Sequence, residues 1–249
     1  MSERTLETLA RDKSSRLRDF AILAFTLLFP TLLTWGYFIL GKGLAPEVSK
    51  WLYGVGKTLQ FAFPAMIVAL VLKERLLVRR FTTRGLALGV AFGLVVGFGI
   101  FLLGYLSYRS HSATSYFSRI EAELMARLQP LGLATRARFT VLFLFYSICH
   151  SGLEEYYWRW FAYNRVALAV KNVAVSTILT NAAFTLHHIL LLTAYFGRFS
   201  LMTIFCSLGV FIGGVTWQTL YRRYDSIYSG WFSHALIDAG IFALGYLML

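Results

Sequence analysis

Apolar residues fall in seven long runs, near 20–41, 52–73, 86–107, 139–162, 173–195, 199–221 and 228–248. A helix crosses the hydrocarbon core of a bilayer with about 20 mostly apolar residues, so each run predicts a membrane span. The count is seven, or eight if one span is broken. In the third run Gly85, Gly89, Gly93 and Gly97 recur on one helical face. A small-residue stripe of that kind lets a second helix approach closely in lipid. The segment 114–129 has a different pattern. Phe117, Ile120, Leu124 and Leu128 share a stripe, while Arg119, Glu121, Glu123 and Arg127 face elsewhere. Ser118 and Glu121 have capping-box spacing. This predicts an amphipathic helix lying on the bilayer surface and ended by Pro130. The expected fold is therefore all-α: a polytopic membrane helix bundle plus one interfacial helix, in a single domain over 1–249, with no linker long enough to divide it.

Composition agrees with that pattern. The chain is 57% hydrophobic and 14% charged over 249 residues, which excludes a soluble domain. A net charge of +12 would suit nucleic acid, but Lys and Arg sit in the connections, as membrane topology requires. Arg4, Arg11, Lys13, Arg16 and Arg18 precede the first span, and Lys73, Arg75, Arg79, Arg80 and Arg84 follow the second. With the N-terminus inside, inner segments carry about 15 positive charges and outer ones about 9, which predicts a cytoplasmic N-terminus. The charged start followed by a long apolar run does not read as a cleavable signal peptide. Cys149 and Cys206 fall within spans and read as small apolar packing residues.

A charge at membrane depth costs about 2.5–3.5 kcal/mol on insertion scales, so ionisable groups inside spans need a reason. Lys57, near the start of its span, is expected to snorkel toward the interface. Three clusters in the C-terminal half cannot do so. The fourth span holds Glu154, Glu155 and Arg159; the fifth holds Phe184, His187 and His188; the last holds His234 and Asp238. Adjacent helical positions point about 100° apart, so the two glutamates serve different neighbours. Glu155 and Arg159, four apart, share a face for an ion pair, which leaves Glu154 as the unpaired carboxylate. Three such clusters on three helices can converge on one polar cavity. Such a cavity supplies a base for water and donors for an oxyanion. It equally suits zinc ligation or proton-coupled transport. Lone intramembrane histidines usually serve packing, which is the reading for His150; His187 stays open.

Glu154-Glu155-x-x-x-Arg159, Phe184-x-x-x-His188 and His234-x-x-x-Asp238 resemble, in order, the three signature motifs of the CPBP family, which comprises CAAX prenyl proteases of the Ras-converting type and bacteriocin-processing or immunity relatives. The resemblance covers a catalytic core over 139–248. It implies a glutamic-type intramembrane endopeptidase that uses no metal or other cofactor, acting on a membrane-anchored or lipidated peptide: a prenylated C-terminus, a sorting tail or a leader. It further implies that Glu154 and His188 activate water, that His234 and Asp238 form the oxyanion hole, and that Glu155, Arg159 and Phe184 support the site. The last motif position is most strongly associated with Asn, and this chain has Asp238. An ionised Asp repels an oxyanion, so Asp238 is expected either to be protonated or to orient His234. A non-catalytic immunity or scaffold protein, a zinc protease and a proton-coupled transporter are the alternatives. A bacterial inner membrane is the expected location, and no nucleic-acid partner is expected.

Overall fold

The computed structural model describes residues 3–74, 82–110 and 114–249. Arg75, Arg79 and Arg80, which enter the orientation argument, lie outside the described residues, as do the side chains of Arg4, Arg11 and Lys13. Among the described residues every element is helical. Helix α1 is Glu3–Phe38; α2 is Pro46–Met66, continued by a wide π turn Ile67–Val71; α3 is Thr83–Arg109; α4 is Thr114–Leu128. Helix α5 runs without a break over 136–170, alternating regular stretches with π turns at Phe145–His150 and Tyr156–Tyr163. Helices α6 (Val173–Phe196), α7 (Leu201–Tyr224) and α8 (Tyr228–Leu247) complete the bundle. Side-chain oxygens of Thr82, Asn172 and Ser200 accept from early backbone N–H groups and cap α3, α6 and α7.

Among the described residues, five helices are long and apolar enough to cross a membrane: 15–38, 47–71, 83–109, 173–196 and 201–224. The two that carry the outer motifs, α5 and α8, are not among them; Glu, Arg, His and Asp dilute their apolar content. The burial pattern is inverted relative to a soluble protein. Val95, Leu103 and Phe205 point outward at 73%, 69% and 66% exposure, while Thr26, Gln60, Glu155, Arg159, Asn181 and Gln218 are buried. An apolar exterior around a polar interior is stable only in lipid, where outward apolar groups meet acyl chains and inward polar groups meet one another.

The glycine stripe of α3 is where α8 docks. A Cβ at Gly89, Gly93 or Gly97 would collide with the backbone of Ser229, Ser233 or Leu236. Close backbone approach along α3 thus sets the position of the helix that carries His234. The amphipathic helix is present as α4, but it begins at Thr114, so Ser118 and Glu121 lie inside it and do not form its cap. Leu128 is buried, and the Arg127 guanidinium lies over the rings of Phe38 and Tyr195 at 4.4 and 5.5 Å. Helix α4 therefore covers the ends of α1 and α6.

Candidate active site

The fourth span is longer than the apolar run that announced it, and this aligns the motifs. Glu154 lies sixteen residues before Val170 and His188 fifteen after Val173, about 24 and 22 Å along their helices from the shared turn. Two π turns flank the short regular stretch Ser151–Glu155. Such turns free or displace backbone carbonyls, which then need other donors. Ser151 Oγ donates to the carbonyl of Ser147 at 2.6 Å, and Trp231 Nε1 of α8 donates to that of Ile148 at 2.7 Å. Asn164 donates to the carbonyl of Trp160 at 2.7 Å and to the Tyr221 hydroxyl at 2.8 Å. The distortion is thus tied to the neighbouring helices.

Within that frame the two glutamates part as their spacing predicts. Glu155 Oε1 forms an ion pair with Arg159 Nη1 at 3.0 Å and accepts from His234 Nδ1 at 3.1 Å. Arg159 also donates to the Gly214 carbonyl at 3.2 Å and lies over the rings of Phe184 and Trp217 at 4.7 and 5.1 Å. Glu154 is 2% exposed, and among the described residues no lysine or arginine forms an ion pair with it. Its Oε1 faces His187 Nε2 at 3.5 Å and His150 Nε2 at 3.9 Å, and its Oε2 faces His234 Nε2 at 3.8 Å. Asp238 Oδ1 lies 3.7 Å from His234 Nε2.

His188 Nδ1 lies 2.9 Å from the Phe184 carbonyl. A carbonyl only accepts, so Nδ1 carries the proton and Nε2 of the neutral ring is left with its lone pair. Ligand atoms of Glu154, His187 and His188 lie within 4.8 Å of one another, a His₂–carboxylate set of the kind that binds catalytic zinc. Aromatic rings hold the imidazoles: Trp158 stacks on His187 with centroids 5.7 Å apart and Trp217 on His234 at 4.1 Å, while Trp217 Nε1 donates to Ser233 Oγ at 2.9 Å. All seven motif residues, Glu154, Glu155, Arg159, Phe184, His188, His234 and Asp238, thus meet in one cluster.

Residues 136–240 match the family described as type II CAAX prenyl endopeptidase, Rce1-like. This is the CAAX protease family that the motifs resemble. The matched segment opens at the start of α5 and ends within α8, so it spans every motif residue. No curated protein and no solved structure gives a match.

Sequence reasoning did not reach several residues that the fold brings here. His150, read as a packing residue, faces Glu154 one turn away on α5. His187, left open, faces Glu154 at 3.5 Å, nearer than either His150 or His234. Lys57 was expected to snorkel, yet it is eleven residues into α2 and half-buried, with its ammonium over the rings of Tyr53 and Phe61. The sequence signal for His150 was present: it precedes Glu154 by four and shares its face. Trp217 carried no such signal, because its contact with His234 depends on how α7 and α8 pack.

Proposed function

We propose that the protein is an intramembrane endopeptidase in which Glu154 activates water for attack on a peptide bond. The observation that carries this reading is the buried Glu154 carboxylate, ringed by imidazoles from three helices while Glu155 takes the arginine. Water bound between Glu154 and His188 Nε2 gives a proton to Glu154 as its oxygen bonds to the substrate carbonyl carbon. The carbonyl oxygen then becomes an oxyanion within reach of His234. Glu155 holds His234 through Nδ1, so donation from Nε2 requires both ring nitrogens to be protonated. Asp238 and Glu155 supply the opposing charge, and Asp238 thereby serves to orient His234. Collapse of the intermediate breaks the C–N bond, and the proton on Glu154 passes to the leaving amine.

In the same reading α5 and α8 cross the membrane with the five more apolar helices, giving seven spans. The N-terminus faces the cytoplasm of a bacterial inner membrane, and the substrate is a membrane-anchored or lipidated peptide.

The clustering of Glu154, His187 and His188 within 4.8 Å favours one alternative, a zinc peptidase with these three as ligands. Hydrolysis of a membrane-peptide mixture by the reconstituted protein separates the two. Glu154→Gln is expected to lower kcat by at least about 100-fold, the lower end of the range for a general base, and exhaustive chelation is expected to leave the wild type unchanged. Activity surviving in Glu154→Gln contradicts both readings. Loss on chelation with recovery on added zinc replaces the glutamic mechanism with the metal one.

A further inference from the structure

A cleft of about 290 Å³ lies between α1, the end of α2 and the end of α5, near the small end of the range for ligand pockets, about 300–1,000 Å³. No member of the catalytic cluster lines it; two ion pairs do. Arg165 of α5 meets Glu74, just past α2, fork to fork, with Nη1 donating to Oε1 at 3.0 Å and Nη2 to Oε2. Arg18 donates from Nε to Asp19, its neighbour on α1, at 2.9 Å. The Nε–H of Arg165 is shut off from solvent and has no acceptor among the described residues. Ile22 and Leu72 add apolar wall, and among the described residues no aromatic ring lines the cleft. Arg18 lies near the start of the span 15–38, Glu74 just past the end of 47–71, and Arg165 in the last turns of α5. The ends of spans sit at the level of lipid headgroups.

Two arginines and two carboxylates beside apolar wall, at headgroup depth, are the complement of a phospholipid headgroup. Their balance of charge selects among headgroups. A purely anionic headgroup brings a phosphate to the arginines but no cation to the carboxylates, so like charges meet. A choline brings a cation without N–H bonds, of the kind held by aromatic rings, which this cleft lacks. A primary ammonium has three donors and suits both carboxylates. The phosphate beside it supplies acceptors for the guanidinium N–H bonds, the unmatched Nε–H of Arg165 among them. Partly exposed ion pairs are weakly held, so exchange of partners with the lipid costs little. We propose that this cleft binds the headgroup of a membrane phospholipid carrying both a phosphate and a primary amine, with Arg18 and Arg165 on the phosphate and Asp19 and Glu74 on the ammonium. The lipid bridges α1, α2 and α5, and so holds the end of the helix that carries Glu154. The site is separate from the catalytic cluster and does not depend on the peptidase reading.

The test uses the full chain in detergent with phosphatidylethanolamine, phosphatidylcholine and phosphatidylglycerol of identical acyl chains, and reads bound lipid by native mass spectrometry. The amine lipid is expected to bind at least about tenfold tighter than either of the others, the difference that hydrogen bonds between charged groups make. Asp19→Asn combined with Glu74→Gln is expected to abolish its advantage over phosphatidylcholine. Arg18→Gln, an exposed change that leaves the tie between Arg165 and Glu74 in place, is expected to weaken it several-fold. Unfolding temperatures without added lipid are measured alongside; if the double variant does not fold, Arg18→Gln decides, and an unchanged affinity in it overturns the proposal. Equal affinities for the three lipids, or an amine preference that survives in the folded double variant, also overturn it. Tighter binding of phosphatidylglycerol overturns it by assigning the arginines to an anionic lipid. Displacement by water-soluble glycerophosphoethanolamine at the concentration that the lipid itself requires overturns it too, because the apolar wall then contributes nothing and the ligand is not a lipid.

Discussion

At the residue scale the site depends on two neighbouring glutamates doing different work. Spacing alone separated them, since a 100° step gives each its own neighbours. The contacts follow that division: Glu155 meets Arg159 and His234, and Glu154 meets histidines. Arg159 is 1% exposed and Glu155 fully buried, so removing one partner strands a charge. Arg159→Met is expected to destabilise the protein by about 3–5 kcal/mol, the usual cost of breaking a buried pair, measured by thermal unfolding in detergent; a stability within error of wild type contradicts the bracing role. Asp238 is a sharper case. If it orients His234 without donating to the oxyanion itself, Asp238→Asn keeps the hydrogen-bonding shape and removes a charge from beside the developing negative oxygen. Its kcat is expected to stay within about tenfold of wild type, less than the loss from removing an oxyanion donor. Near-total loss with an unchanged unfolding temperature contradicts that role. What sequence could not reveal at this scale were contacts made across helices, such as Trp217 on His234 and the Tyr53 hydroxyl 3.4 Å from that of Tyr146.

At the scale of elements, the glycine stripe and the π turns do the positioning. Gly85, Gly89, Gly93 and Gly97 were legible as a packing face, because small residues at helical spacing have few other uses in lipid. Their partner was not legible, because periodicity identifies a face and not its neighbour. That partner is α8, and Gly93 abuts the backbone of Ser233, next to His234. Gly93→Leu is therefore expected to lower the unfolding temperature and abolish activity together. Gly99→Leu, at a position with open space around it, is expected to change stability by no more than about 0.5 kcal/mol, as surface substitutions do. Equal effects from the two variants contradict the docking account. The π turns were invisible in the sequence, since nothing in an apolar run announces a change of hydrogen-bond register. The fourth helix also continues beyond 139–162 through the regular stretch Asn164–Val170, which brings Glu154 level with His188.

At the scale of the whole molecule, most of the architecture was legible because lipid imposes strong constraints. Backbone groups must be satisfied within each span, so long apolar runs have little choice but to be helices. The expected spans meet observed helices at both ends to within a few residues, except at the first and second, where α1 begins far earlier and α2 six residues earlier, and at the fourth. Polar groups gather inside, around the site, and apolar groups face outward, as lipid requires. The family match over 136–240 agrees with the stretch in which the motifs were found, while the N-terminal helices supply walls that no motif announced. The central claim is that this polar interior cuts membrane-anchored peptides through Glu154. Mass spectrometry of peptide termini in membranes from cells carrying the wild type or Glu154→Gln tests it most directly. The account predicts at least one protein whose terminus is shortened with the wild type and intact with the variant; identical termini throughout would contradict it.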